Sequence, residues 1–325
     1  MSLYRAFLAV SCSLTLLAAP SAVWPQAAAA SNPEAYMAPH ATRAPIMAAT
    51  RVGERIIAAG DYGTVLLSDD AGRKWRQART PTRATLTALY FIDAQRGWVV
   101  GHGGVVLVTQ DGGEHWAPMA ALEREAVPFA VYFSDAQHGL VVGAFGFAAV
   151  TDDGGRSWKK TTISRGEYAD QHLYNIFAGP KGALWVAAEG GTVFRSSDDG
   201  ASFAAVPLPY KGSIWGGLVL HDGVVLVWGM RGRVLRSENG GRTWAEVPSG
   251  TQQALTAGLQ LAGGDIVIAG LGGAVIRSGD GGRTFSARIR PERQSHTALI
   301  EAGGALLTFT PVSYTHLTLP TKRIV

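Results

Sequence analysis

The chain repeats one eight-residue signature six times, and this repeat constrains the fold more than any other feature of the sequence. The signature reads Ser/Thr, any residue, Asp/Asn, any residue, Gly, two further residues and then Trp/Phe. The copies are SDDAGRKW (68–75), TQDGGEHW (109–116), TDDGGRSW (151–158), SSDDGASF (196–203), SENGGRTW (237–244) and SGDGGRTF (278–285). Their closing aromatic residues follow one another at intervals of 41 to 45 residues. A period of about 40 to 50 residues with strand-like content indicates a β-propeller.

One repeat, residues 86–119, predicts four short strands joined by hairpins. LTALYFID alternates small or polar residues with large apolar ones, as expected for a strand with two differently buried faces. The apolar runs GWVVG and VVLVT follow, separated by the turn HGG, and the last strand surrounds residues 115–119. Four antiparallel strands, A to D, make one propeller blade. The signature then lies in the loop between strands C and D.

Each position of the signature has a structural role. The acidic or amide side chain can accept hydrogen bonds from nearby backbone N–H groups, as in Asx turns. The glycine at the fifth position permits a positive φ. The closing aromatic residue is expected to pack between neighbouring blades. These structural positions are Asp70, Asp111, Asp153, Asp198, Asn239, Asp280, Trp75, Trp116, Trp158, Phe203, Trp244 and Phe285.

The repeats predict an all-β chain folded as a seven-bladed β-propeller of four-stranded antiparallel blades. Six repeats cover about residues 43–288, and TALIEAGGALLTF (297–309) would begin an incomplete seventh blade. The segment 36–41 is expected to supply a strand that closes the ring, because closure removes exposed strand edges. Six and eight blades remain the alternatives.

The two ends of the chain are expected to lie outside the propeller. Residues 1–30 carry one basic residue, an apolar run and small residues suited to cleavage, which is typical of a secretory signal peptide. Residues 31–312 are assigned to a single propeller domain with six signatures. Residues 313–325, which lack glycine and the repeat pattern, are interpreted as a non-native tail. The alternative for this tail is a divergent last strand.

The basic character of the chain does not indicate a nucleic-acid partner. Without Arg5, Lys322 and Arg323, which lie in the predicted signal and tail, 26 basic residues face 25 acidic ones. The single cysteine, Cys12, lies in the predicted signal, so no disulfide is expected in the processed chain. A signal peptide followed by a chain without another long apolar run predicts a periplasmic protein, with a peripheral position at the inner membrane as a further option.

The residues that differ between repeats point to one face of the disc. The turns between strands B and C and the connections between blades share that face, opposite the signature loops. Aromatic residues and arginines are enriched there, as they are at protein interfaces. The predicted partner-binding residues are Tyr62, Arg83, His102, Arg124, Phe145, Glu189, Trp215, Arg231 and Arg293. A solvated rim is the alternative for any one of them.

No catalytic motif accompanies this face. The sequence has no nucleophile elbow, phosphate-binding loop or H-E-x-x-H motif, and no catalytic residue, cofactor or metal is predicted. His102 and His172 could ligate a metal, but no His, Cys and Asp cluster has metal-ligand spacing.

The signature is identified as the Asp-box, also called the bacterial neuraminidase repeat. Sialidases use it together with an arginine triad, a Tyr–Glu nucleophile pair and an acidic residue that acts as acid and base. Their Arg-Ile-Pro motif is not matched here, because Arg43 begins RAPIM. Tyr62, Tyr168 and Tyr210, with Glu167 or Glu189, are the candidates for such a pair. A sialidase-like glycosidase or a glycan-binding propeller is therefore the alternative function.

The whole repeats, such as DAQRGWVVGHGGVVLVTQDGGEHW (93–116), resemble the photosystem II assembly and stability factor family. The resemblance covers about residues 43–311 and extends to relatives in non-photosynthetic proteobacteria, which resemble accessory proteins of membrane exporters. It implies a non-enzymatic, monomeric propeller that binds a membrane-protein client, either a reaction-centre-like subunit or an exporter subunit. Arginines on one face are implicated in the family, and Arg83, Arg124, Arg231 and Arg293 have the right chemical type.

Overall fold

The computed structural model describes residues 33–311 and 314–318, with the side chains of 33–311. The predicted signal peptide and most of the predicted tail lie outside the described residues. Within them, six antiparallel sheets of four strands follow one another along the chain, each in the strand order of the sequence. The four-stranded antiparallel propeller blade that one repeat predicts is therefore confirmed.

The first three blades occupy residues 46–160. Blade 1 consists of β1 (Ile46–Val52), β2 (Arg55–Gly60), β3 (Val65–Ser68) and β4 (Arg76–Ala78). Blade 2 consists of β5 (Leu86–Phe91), β6 (Gly97–Gly101), β7 (Val105–Thr109) and β8 (Ala117–Pro118). Blade 3 consists of β9 (Pro128–Phe133), β10 (Gly139–Gly143), β11 (Ala148–Thr151) and β12 (Lys159–Lys160).

The next three blades occupy residues 173–289. Blade 4 consists of β13 (Leu173–Ala178), β14 (Leu184–Ala188), β15 (Thr192–Ser196) and β16 (Ala204–Pro207). Blade 5 consists of β17 (Ile214–Val219), β18 (Val225–Gly229), β19 (Val234–Ser237) and β20 (Ala245–Val247). Blade 6 consists of β21 (Leu255–Gln260), β22 (Ile266–Gly270), β23 (Ala274–Ser278) and β24 (Ser286–Ile289).

The helical elements among the described residues are short 3-10 turns. Five join the second and third strands of blades, at Asp61–Gly63, His102–Gly104, Ala144–Gly146, Met230–Gly232 and Leu271–Gly273. The others are Ala41–Arg43 and Gly166–Tyr168. None of the described helices is both long and apolar enough to cross a membrane.

The prediction of seven blades is wrong, because the described residues form six four-stranded blades. The strands after blade 6 form a three-stranded sheet, named here the closing sheet: β25 (Ala298–Ala302), β26 (Ala305–Phe309) and β27 (Tyr314–Thr318). It contacts blade 6 through β21 and blade 1 through β1. Thr297 donates a side-chain hydrogen bond to the Ile46 carbonyl at 2.6 Å, and Ile46 N–H donates to Thr310 O.

The segment 36–41 does not supply the expected strand. Its backbone instead follows the outer edge of blade 1, where Ala38 N–H donates to the Gln77 side chain and Gln77 donates to the Tyr36 carbonyl. Ala41 is buried with residues of blade 1 and the closing sheet, including Ile46 and Phe309. The segment therefore packs against blade 1. The sequence predicted instead that it would close the ring by pairing as a strand.

The apolar core consists of layers between adjacent sheets. Trp98 of β6 shows how a layer forms: its ring stacks on Phe133 of blade 3 with centroids 3.6 Å apart, and its Nε1 donates to Gly154 O at 3.0 Å. Trp98 is only 1% exposed. Each blade therefore buries its middle strands against the next blade, and the loops at both ends of the strands remain at the surface.

Candidate partner-binding face

The signature loops lie at one end of the strands and use the same hydrogen bonds in all six copies. The first hydroxyl, as in Ser278, accepts the N–H of the fifth-position glycine at 2.9 Å and donates to the Asp280 carboxylate at 2.7 Å. Asp280 also accepts the Thr284 N–H at 3.0 Å. Hydrogen bonds from the Thr284 hydroxyl and backbone and from Ser278 hold the pKa of Asp280 well below its usual range. The hydrogen-bonding groups of these side chains are therefore satisfied within their own loop.

The closing aromatic residues of the signatures are buried or half-buried. Trp116 is 7% exposed, and its Nε1 donates to Gly113 O at 2.9 Å. Trp244 meets Trp185 edge to face with centroids 6.2 Å apart. Trp75, Trp158, Phe203 and Phe285 pack at the edges of the corresponding layers. The contacts of these aromatic residues are therefore structural, and the predicted partner-binding residues are those of the opposite face.

The turns between second and third strands, on that opposite face, share a left-handed middle residue. Glycine takes this position in three blades, at Gly103, Gly190 and Gly272. The other three blades place larger residues there: Tyr62 with φ 56°, Phe145 with φ 53° and Arg231 with φ 56°. Side chains with a Cβ are strained in this region. Tyr62 is 69% exposed and Phe145 75% exposed, so burial does not compensate for the strain.

The inner strand of every blade carries a bulge one residue after its start, at the same end as these turns. The pairing registers skip Met47, Thr87, Phe129, Tyr174, Trp215 and Thr256. A bulge redirects the side chain of the extra residue. Where this residue is threonine, its hydroxyl binds a neighbouring backbone carbonyl: Thr87 donates to Pro128 O at the start of β9, and Thr256 donates to His296 O, two residues before β25, the next strand along the chain. The larger bulge residues line the mouth of the central channel.

Three consecutive blades bring aromatic bulge residues together at the channel mouth. The Phe129 and Tyr174 rings stack at 5.8 Å with planes 16° apart, and the Trp215 ring meets Tyr174 at 6.5 Å. Phe145 and the Tyr174 ring both contact His172, at 4.7 Å and 5.9 Å. We call Phe129, Phe145, His172, Tyr174 and Trp215 the aromatic cluster. Its accessible rings offer an apolar platform at this end of the propeller.

Hydrogen bonds hold the aromatic cluster in place. The Phe145 N–H donates to His172 Nδ1 at 2.9 Å, so that nitrogen acts as an acceptor. Glu189 accepts the His172 N–H at 3.0 Å and the Tyr174 hydroxyl at 3.3 Å. Burial raises the pKa of Tyr174 and keeps its hydroxyl protonated. Glu189 is therefore a positioning residue for the cluster.

The structure distributes the predicted arginines around the face. Arg83 lies between blades 1 and 2, where its Nε donates to Glu34 O at 2.9 Å. Arg124 is exposed between blades 2 and 3, and Arg231 is exposed on the turn of blade 5. Arg293 is exposed between blade 6 and the closing sheet, with φ 51°. His102 is exposed on the turn of blade 2. Their role in binding stays a prediction.

A shallow cavity of about 440 Å³ opens beside the aromatic cluster. Its lining includes Trp215, Tyr174, Phe129, Met47 and His296. Sequence reasoning selected Trp215 but missed the others, and it placed Trp215 in a connection although the residue lies in β17. The sequence did contain one usable signal. The second residue of each inner strand differs in type between repeats. No sequence pattern marked His296, because the repeat ends there.

The arrangement does not reproduce the site of a sialidase. The four exposed arginines belong to different blades or connections, and none of them lines the cavity beside the aromatic cluster. Tyr174 with Glu189 is a Tyr–Glu contact, but Tyr62 projects into solvent. Among residues 33–311, no group of three or more His, Cys, Asp or Glu side chains is placed to hold a metal ion.

Comparison with known sequences points to one family. The family described as photosynthesis system II assembly factor YCF48 matches residues 67–126 and 118–214. The photosystem II stability/assembly factor HCF136 of Cyanidioschyzon merolae is 45% identical over 58 residues, 17% of this chain and 13% of that protein. The assembly protein Ycf48 of Thermosynechococcus vestitus is 41% identical over 44 residues, 14% of this chain and 13% of that protein. These two matches thus span a small part of each relative.

Comparison with solved structures supports the same fold over most of the chain. YCF48 bound to a D1 peptide has a TM-score of 0.70 at 16% identity, covering 89% of this chain and 97% of that one. YCF48 from Cyanidioschyzon merolae has a TM-score of 0.67 at 15% identity, covering 85% and 96%. Virginiamycin B lyase from Staphylococcus aureus has a TM-score of 0.72 at 13% identity, covering 88% and 98%. At these identities the likeness concerns the fold alone.

The fold and the face define a β-propeller of four-stranded blades, with structural signature loops at one end and repeat-variable residues at the other. Within that class, the chain is similar over residues 67–126 and 118–214 to the photosystem II assembly factor family.

Proposed function

We propose that this chain is a non-enzymatic periplasmic propeller that binds a membrane-protein client and acts as its assembly or accessory factor. The observation that carries the proposal is the set of three exposed, strained side chains at Tyr62, Phe145 and Arg231. Glycine at these positions would relieve the backbone strain, and the corresponding turns of the other three blades have glycine there. Strain retained in exposed residues points to a function of the side chains themselves.

The composition of the face supports a protein client. The predicted face carries the aromatic cluster and exposed arginines from several blades or connections, and hot spots of protein interfaces are enriched in aromatic residues and arginine. The D1 peptide bound to a structurally similar YCF48 supports a client that is a membrane protein. The client here is either a reaction-centre-like subunit or a subunit of an exporter. Complementary charge on its exposed loops would select it.

The test is a crosslinking pull-down from native membranes with the full chain and two matched charge reversals. Arg231→Glu changes the proposed face, and Arg242→Glu changes an exposed residue of a signature loop at the opposite end. We expect one membrane protein to be enriched by the wild type and by Arg242→Glu, and to be lost with Arg231→Glu. Thermal unfolding should be the same for Arg231→Glu as for the wild type. Equal loss of the client with both variants would contradict the assignment of the face.

A glycan-binding propeller is the competing function, because aromatic platforms such as Tyr174 and Trp215 also suit sugar rings. A screen of sialosides and other glycans against the same preparation distinguishes the two functions. Specific glycan binding without client enrichment would replace the proposal.

A further inference from the structure

A cleft of about 620 Å³ opens between blades 3 and 4, at the end of the strands that carries the signature loops. Strands and loops of blade 3 line one side of it, and the signature loop of blade 4 lines the other. Leu140 and Leu184 are buried residues of its lining, whereas Tyr132 and Val150 are half-buried and accessible. The cleft therefore offers apolar walls to a side chain that enters from solvent.

The cleft exists because packing at this junction differs from packing at the next one. A Cβ built on Gly241 of the blade 5 signature would lie 2.4 Å from the Trp185 ring of the preceding blade. A Cβ on the equivalent Gly200 of blade 4 would first meet Leu184 of its own blade, at 3.1 Å. Leu140 is the second residue of β10, the position that Trp185 has in β14. The smaller side chain of blade 3 thus leaves space beside the signature loop of blade 4.

The lining of the cleft carries an excess of negative charge. Lys159 is paired with one of its carboxylates at 2.7 Å, and the His138 ring contacts another at 2.8 Å. These two basic side chains face four carboxylates: Asp135, Asp152, Asp198 and Asp199. A partner with the complementary charge is therefore favoured at this cleft.

Asp199 is the carboxylate of the cleft that is free to bind a cation. Its neighbour Asp198 accepts hydrogen bonds from the Ser196 and Ser202 hydroxyls, both at 2.6 Å. The Asp199 carboxylate is exposed and has no hydrogen-bond or ion-pair partner among residues 33–311. Burial, together with the charges of Asp199 and Asp135, raises the pKa of Tyr132, so the negative field reaches this wall of the cleft.

We propose that this cleft docks a basic segment of a partner protein, with the guanidinium of one arginine at Asp199 and its aliphatic stem against Val150 and Tyr132. Apolar walls below a charged rim suit a long side chain whose stem is buried and whose head stays polar. Arginine suits the site better than lysine, because a guanidinium is less strongly hydrated and packs on aromatic rings. The cleft lies at the opposite end from the partner-binding face, so the inference goes beyond the proposed function and does not depend on it.

The direct test compares two pentapeptides in NMR titrations of the full chain. One is acetyl-Ala-Leu-Arg-Leu-Ala-amide, and the other has citrulline in place of arginine. Citrulline has nearly the shape of arginine without its charge, so the ratio of the affinities reports the charge interaction. We expect the arginine peptide to bind about three- to fivefold more tightly at low salt, the ratio that one partly exposed ion pair supplies. Added salt should reduce this preference.

Three substitutions locate the binding site. Asp199→Gly removes the carboxylate and should abolish the arginine preference without loss of stability, because Asp199 has φ 56° and four other signatures have glycine at this position. Ala71→Gly makes the same backbone change in blade 1, where φ is 59°, and should retain the preference. Leu140→Trp introduces the residue that blades 2 and 4 have there and should weaken both peptides by filling the cleft.

Several results would overturn the inference. These are equal affinity for the two peptides, binding of neither, an arginine preference that survives Asp199→Gly, or shifted amide signals confined to the partner-binding face. Unchanged binding by folded Leu140→Trp would also place the peptide elsewhere. If Leu140→Trp does not fold, the comparison of Asp199→Gly with Ala71→Gly still decides the question. The pull-down with Arg231→Glu tests the opposite face, so failure of either proposal leaves the other intact.

Discussion

At the scale of single residues, strain and function are linked on the turns of the partner-binding face. The six turns have the same backbone, but only three use glycine at the left-handed position. The side chains of Tyr62 and Arg231 contribute little packing, because both are exposed. The presence of these strained side chains therefore argues that they contact another molecule.

Replacing these residues by glycine should separate stability from binding. Tyr62→Gly and Arg231→Gly remove left-handed strain, and we expect each to raise the free energy of unfolding by up to about 1 kcal/mol. Urea denaturation measures this change, and the same variants should bind the client less well. Gly103→Ala is the matched control: its added Cβ would meet open space, so backbone strain alone should lower its stability. A loss of stability in both glycine variants would show that these side chains are structural.

At the scale of elements, the blade rather than the strand is the unit of stability. Tryptophans in different strands of a blade have different roles, as Trp98 in the second strand of blade 2 and Trp215 in the inner strand of blade 5 show. Trp98 is enclosed between blades 2 and 3, whereas Trp215 is half-exposed at the channel mouth. The bulge in each inner strand makes this difference, since it turns one side chain away from the layers between blades.

This contrast predicts opposite outcomes for two tryptophan substitutions. Trp98→Ala removes a ring stacked on Phe133 and the hydrogen bond to Gly154 O, and we expect it to cost about 3–5 kcal/mol of unfolding free energy. Trp215→Ala should cost much less and should weaken the binding of the client. Thermal unfolding and the pull-down, run on both variants, measure the two effects. Similar destabilisation by both substitutions would contradict the distinction.

At the scale of the whole molecule, closure of the ring depends on contacts that the repeat does not encode. The closing sheet contacts blade 1 through Thr297, Thr310 and the apolar residues around Phe309, and it packs on blade 6 through Leu299 and Leu306. His296 immediately precedes this sheet and is buried at the junction. A change in its charge should therefore affect the stability of the entire ring.

The stability of the protein should fall as the pH is lowered through the histidine range. His296 has a lowered pKa in the folded chain and its ordinary value, about 6.5, in the unfolded chain. The unfolded state therefore takes up the proton first, and stability is lost as the pH falls below about 6.5 towards the folded pKa. Melting temperatures measured from pH 7.5 to pH 5 should decline more steeply for the wild type than for His296→Leu. Parallel declines would show that other groups dominate.

The sequence by itself determined the blade. The strands at residues 86–91, 97–101 and 105–109 were predicted correctly, because alternation, turn glycines and the signature act within one repeat. The similarity to the photosystem II assembly factor family could also be predicted from the repeats, and it is confirmed over residues 67–126 and 118–214. These features are local, and every repeat contains them.

Only the tertiary structure decided the number of blades, the closure and the composition of the channel mouth. Counting repeats could not show that segment 36–41 packs beside blade 1 without pairing as a strand, because both arrangements bury Ala41. The aromatic cluster likewise combines residues from blades 3, 4 and 5 that lie about forty residues apart, a spacing set by the repeat. Their contacts depend on bulges and on the curvature of the ring, which no single repeat determines. The burial of His296 also depends on ring closure, because its backbone bonds to Gly270 and Thr256 of blade 6 immediately before the closing sheet.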